Sequence, residues 1–78
     1  MVAHMPAGRI SVGDFLPAGK YSFQYEGANS CYMYVYEDME TEISKLSDCM
    51  GNDETKVIEL AEGESLMCTG MYSLTVIN

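Results

Sequence analysis

Tryptophan is absent from this 78-residue chain, histidine occurs once, at His4, and lysine and arginine together number four. Each shortage removes a class of chemistry. A lone histidine near the chain start has no second base to work with and no partner for a two-histidine metal motif. So few cations cannot line a positive groove, which disfavours direct nucleic-acid binding. No apolar run approaches the roughly 18 residues that a membrane span requires. The first ten residues hold Pro6 and Gly8 and no apolar core, so they do not read as a signal peptide. The chain as written is therefore expected in the cytoplasm, and outside the cell or at its surface if it is a fragment of a longer protein.

Cysteine is also sparse, and no Cys-x-x-Cys pair occurs. Cys31, Cys49 and Cys68 are too far apart in sequence to suggest zinc, and they allow at most one internal disulfide with one thiol left over. Free thiols in a reducing compartment are the simpler expectation. Neither Gly13 nor Gly19 is followed by a helix signal, so no phosphate-cradling loop is present. Residues 48–54 are rich in oxygens but lack the Asp-x-Asp-x-Asp-Gly order of a calcium loop. No catalytic residue, cofactor, metal or small-molecule substrate follows from the sequence, and the expectation is a protein that is not an enzyme.

Acid is abundant instead. Twelve carboxylates against four basic residues give a net charge of −8. Asp14 and Glu26 balance Arg9 and Lys20, so the whole excess lies in residues 37–64. That segment holds Glu37, Asp38, Glu40, Glu42, Asp48, Asp53, Glu54, Glu59, Glu62 and Glu64, opposed by Lys45 and Lys56 alone. Such a field attracts basic partners, although acids also simply keep a tyrosine- and methionine-rich domain soluble.

The remaining pattern is alternation, the period of a strand. Tyr21, Phe23 and Tyr25 share one face of a strand entered through Pro17-Ala18-Gly19. In Ser30–Tyr36, Cys31, Met33 and Val35 face one way and Tyr32, Tyr34 and Tyr36 the other. Ile58 and Leu60, then Leu66 and Cys68, then Tyr72, Leu74 and Val76 repeat the rule. Met39, Ile43 and Leu46 are spaced as a helical stripe, which leaves residues 37–48 open between helix and strand, and residues 48–53 read as a loop. Met5-Pro6-Ala7-Gly8-Arg9-Ile10 and Leu16-Pro17-Ala18-Gly19-Lys20-Tyr21 are the same phrase twice, and each suggests a strand entry. The expected fold is all-β: a small single-domain sandwich or barrel of about six to eight short strands with at most one short helix. Residues 1–9 are expected to form an N-terminal arm and residues 10–78 the domain.

Val12-Gly13, then Leu16-Pro17-Ala18-Gly19-Lys20-Tyr21, resemble the short β-rich domain marked by a Val-Gly-x-Asp-Ile-Pro-Ala-Gly-x-Tyr phrase in secreted proteins and lipoproteins of Gram-positive bacteria. Tyr34-Val35-Tyr36, the acidic middle, and Val57-Ile58-Glu59-Leu60 before Glu62-Gly63-Glu64 are similar too, so the likeness spans residues 10–77. Phe15 stands where that phrase has Asp, with Asp14 one place earlier. The resemblance implies a β fold and a non-enzymatic module, and it brings no catalytic residues.

Two functions fit these features. One is a protein-interaction or structural module that works through an aromatic sheet face formed by Tyr32, Tyr34 and Tyr36, associating with itself or another protein. The other is a small acidic inhibitor or nucleic-acid mimic of the phage type. Its carboxylates, beginning with Glu37, Asp38, Glu40 and Glu42, would occupy a basic groove on a nucleic-acid-processing enzyme.

Overall fold

A computed structural model of the chain describes residues 2–77. Eight strands run in chain order: β1 Val2–Met5, β2 Gly8–Ser11, β3 Gly19–Tyr25, β4 Ser30–Tyr36, β5 Leu46–Gly51, β6 Thr55–Leu60, β7 Ser65–Cys68 and β8 Tyr72–Val76. No helix occurs among the described residues. The strands make two four-stranded antiparallel sheets, ordered β1-β8-β3-β6 and β2-β7-β4-β5. These orders have one simple origin. Folding the chain back on itself pairs β4 with β5, β3 with β6, β2 with β7 and β1 with β8. Rolling that doubled ribbon then adds the β3–β8 and β4–β7 ladders. The result is an eight-stranded jelly-roll sandwich whose sheets are not closed into a barrel.

Alternation places the core as the sequence predicts. Tyr21, Phe23 and Tyr25 of the first sheet face Cys31, Met33 and Val35 of the second, and Ile58, Leu60, Leu66, Cys68, Tyr72 and Leu74 complete the interior. Phe23 and Tyr72 stack with ring centroids 4.9 Å apart at the centre. The two Pro-Ala-Gly phrases mark equivalent points. Each ends on the first residue of a strand, Gly8 or Gly19, where the chain crosses from one sheet to the other. At the second crossing Tyr21 donates its hydroxyl to the Pro17 carbonyl four residues upstream (2.5 Å), tying the turn to the strand.

Two expectations are corrected, and the segment left open between helix and strand is decided. Residues 2–9 are not an arm: Val2–Met5 pair with β8 at the edge of the first sheet, and Gly8–Ser11 pair with β7. Met1 and Asn78, the outer limits of that division, lie outside the described residues. The stripe Met39, Ile43 and Leu46 forms no helix, since residues 37–45 are an irregular loop with Ile43 83% exposed. Residues 48–53 are not simply a loop either, because Leu46–Gly51 is a strand paired along β4.

The two open sides of the sandwich are closed differently. On one side the chain itself passes between edge strands β1 and β2. On the other, Asp48 of edge strand β5 meets Lys56 of edge strand β6 (Oδ2–Nζ 3.1 Å), joining the two sheets. This ion pair, followed by the Cys49 N–H, holds the Asp48 carboxyl below its ordinary range. Charges turned inward at strand edges also discourage pairing with another chain.

Two glycines make room for one ring. A Cβ on Gly27 would lie 1.9 Å from the Tyr25 hydroxyl oxygen, and one on Gly70 would lie 2.6 Å from Tyr25 Cε1. Tyr25 is buried and cannot simply swing away. Gly27→Ala is therefore expected to destabilise the domain by about 1–3 kcal/mol, the usual cost of overpacking. A thermal melt checks this, and a melting point equal to that of the wild type would contradict it.

Candidate interaction face

The outward residues of the second sheet form its functional candidate. β4 is an inner strand of that sheet, between β7 and β5, and its outward side carries Tyr32, Tyr34 and Tyr36. Their rings climb the strand as a ladder, with centroids 6.4 Å apart between the first two and 6.1 Å between the last two. Neighbouring strands extend the face, because residues opposite one another in a ladder project to the same side. Met67 and Ser47 flank Tyr34, Cys49 flanks Tyr32, and Ser65 flanks Tyr36.

The ladder is graded in exposure. Tyr32 is 55% exposed, whereas Tyr34 and Tyr36 are half-buried. Arg9 on β2 covers Tyr36. Its guanidinium lies 3.8 Å from the Tyr36 ring centroid, a cation–π stack. The same side chain donates from Nε to Ser65 Oγ (2.9 Å) and from Nη2 to the carbonyls of Asp38 and Thr41 (2.8 Å each). Ser65, fully buried, donates in turn to the Asp38 carbonyl (2.7 Å). The 37–45 loop is thereby folded over the Tyr36 end of the face, leaving the Tyr32 end open.

That loop carries the acidic candidates. Glu37, Asp38, Glu40 and Glu42 are all exposed on it, bordering the tyrosine ladder. Asp38 has a structural duty: its Oδ1 accepts the N–H groups of Thr41 (2.7 Å) and Glu40 (2.9 Å). Those bonds, with the charge of Arg9 behind them, hold its carboxyl below the usual carboxylate range. The acids are thus brought beside the tyrosines at one end of the face, and one of them shapes the loop.

At the loop's far end, Lys45 Nζ pairs with Glu64 Oε2, while Glu64 Oε1 accepts the Ala61 N–H (2.7 Å). Burial pushes the Glu64 carboxyl up, but the Ala61 N–H and Lys45 together outweigh it and the net shift is downward. Lys45 is raised by the same bond to Glu64. The sign then follows. A lowered folded pKa gives stability that is fully present above the ordinary Glu value of 4.5 and is lost as pH falls through the folded value. Lys45 loses its contribution only as pH rises above 10.5. Glu64→Gln should accordingly be less stable than the wild type at pH 7, with the gap closing below pH 4.5. Denaturant titrations at pH 7 and pH 3 check this, and a gap that widens in acid would contradict it.

Arg9, Met67, Ser65 and Cys49 were not among the candidates from sequence. The signal for Met67 was present, since Leu66 and Cys68 facing inward require Met67 to face out. Arg9 could not be found that way, because its role depends on a 56-residue separation from Ser65.

The opposite outer face differs. Its outward row holds Lys20, Ser22, Gln24, Thr55, Glu59, Ser73 and Thr75, interrupted by Val2 and Val57. Elsewhere, an apolar cavity of about 180 Å³ lies beside Leu16, Pro17, Tyr21 and Leu74. Among the described residues, no three His, Cys, Asp or Glu side chains converge as metal ligands, and no helix is long and apolar enough to cross a membrane.

Fold and face together define a small jelly-roll sandwich with one aromatic outer surface. Jelly rolls serve capsids, lectins and cupins alike, so the architecture does not select among functions. No family model, no curated protein and no solved structure matches this chain.

Proposed function

We propose that the protein is a non-catalytic interaction module that associates with a second copy of itself through the outer face of the second sheet. The observation that carries this reading is the open end of the ladder. Tyr32 and Tyr34 stack on an inner strand, with Met67 beside them, yet the chain covers only the Tyr36 end with its own loop. Tyrosine and methionine are the residues that interface cores favour.

Tyr34→Ser tests it. The ring projects outward, so its removal opens no cavity in the core, and the domain should stay folded. Loss of a tyrosine at the centre of an interface commonly costs 2 kcal/mol or more, which is about thirtyfold in affinity. Weakened association in a folded variant is the expected result. A wild-type chain that stays monomeric, together with an unfolded Tyr34→Ser, would show that the ring serves the fold alone.

A further inference from the structure

Two of the three thiols meet inside the sandwich. Cys68 stands opposite Met33 in the β4–β7 ladder, which places Cys31 two residues along on the same inward face. Their sulfur atoms are 3.3 Å apart, with the Cys68 thiol donating to Cys31 Sγ, and both residues are fully buried. A disulfide bond is about 2.05 Å long, so the two sulfurs must approach by roughly a further ångström to bond. Cys49 is excluded from this contact by alternation. It stands opposite Tyr32 on the outward face of the same sheet, exposed to solvent.

We propose that Cys31 and Cys68 are a disulfide-forming pair, which a low-molecular-weight disulfide such as oxidised glutathione converts to an internal cross-link between β4 and β7. Attack by one cysteine thiolate on the small disulfide forms a mixed disulfide and releases one small thiol. The second cysteine then attacks the mixed disulfide at the protein sulfur, forming the Cys31–Cys68 bond and releasing the second small thiol. The pair gives up two electrons and two protons, and both appear in the two reduced co-reactant molecules.

The timing follows from burial. In the closed sandwich, burial and the Cys68 thiol push the Cys31 thiol up to about 12, so the reactive thiolate is scarce and shielded. Oxidation therefore belongs to folding, when the chain is still open and the ladder has begun to bring the sulfurs together. The link closes a loop between positions 37 apart in sequence. Holding residues 31 and 68 together in the unfolded chain should raise the melting point of this small domain by roughly 10–20 °C.

The test uses the full chain carrying Cys49→Ser, a change at an exposed position that leaves the fold alone. It is refolded from denaturant in a mixture of reduced and oxidised glutathione, and in parallel in excess reductant. The glutathione sample should be lighter by two hydrogens, should offer no alkylatable thiol once denatured, and should melt higher than the reduced sample. Adding reductant should erase the difference. In the wild type, peptide mapping should link Cys31 to Cys68 and leave Cys49 alkylatable. Two free thiols persisting in the glutathione mixture, a link through Cys49, or an oxidised protein melting no higher than the reduced one would overturn the proposal.

Discussion

Arg9→Ala is expected to release the 37–45 loop and to cost about 3 kcal/mol. The guanidinium donates three hydrogen bonds, to Ser65 Oγ and to the Asp38 and Thr41 carbonyls, and stacks on Tyr36. Charge-assisted bonds of this kind contribute about 1.5–3 kcal/mol each when counted singly, but they share one side chain and do not add. A domain of this length has about 4–12 kcal/mol in total, so the loss is a large fraction. Lysine should not rescue it, because an ammonium lacks the planar fork that reaches a hydroxyl and two carbonyls at once. The measurement is paired: a denaturant titration for stability, and limited proteolysis for the loop. The account expects a lower midpoint together with new cleavage between residues 37 and 45. An unchanged midpoint with a resistant loop would mean that Arg9 only decorates the face.

Phe23→Ala should have the largest effect on the fold. Phe23 is fully buried at the centre of the first sheet and stacks on Tyr72, so its removal leaves a ring-sized void that the strands cannot collapse into. The cost for a buried Phe is about 3–5 kcal/mol, a large fraction of the domain's total stability. Its partner should behave oppositely. The Tyr72 hydroxyl is buried without a hydrogen-bond partner among the described residues, and burial moves its ionisation upward. Tyr72→Phe keeps the stack and removes the orphaned group, so it should be neutral or stabilising by about 1 kcal/mol. Thermal melts of the two variants check both signs. A stable Phe23→Ala, or a Tyr72→Phe that melts well below the wild type, would contradict this reading of the core.

How much of this was legible in the sequence depends on where each strand sits. Inner strands β3, β4 and β8 announce themselves, because three consecutive inward positions on each are apolar. Edge strand β5 does not. Its inward positions are Leu46, Asp48 and Met50, and the middle one is an acid that makes sense only opposite Lys56 of the other sheet. Without that partner in view, residues 48–53 read as a polar loop. The stripe of Met39, Ile43 and Leu46 misleads for a related reason: the 37–45 segment is held by its carbonyls on Arg9, not by an apolar face of its own. Edge strand β1 was missed because four residues around His4 carry almost no pattern.

The site divides along the same line. Which side of β4 the tyrosines occupy follows from alternation alone. That Arg9 and the loop cover Tyr36 while Tyr32 stays open requires β2 to lie beside β7, a pairing across most of the chain's length. The rolled topology is likewise a property of long-range pairing, and no local signal encodes it. The acids at 37–42 could be seen in the sequence, but their position at the rim of the aromatic face could not.

The central claim is that the open tyrosine ladder is a surface for a second copy. Sedimentation velocity on the wild-type chain over rising concentration, at low and high salt, tests it most directly. Two copies each carrying a net charge of −8 repel, so screening should help them meet across an apolar face. The account predicts a concentration-dependent dimer that persists or strengthens as salt rises and that Tyr34→Ser weakens. A chain that sediments as a monomer at every concentration and salt would contradict it.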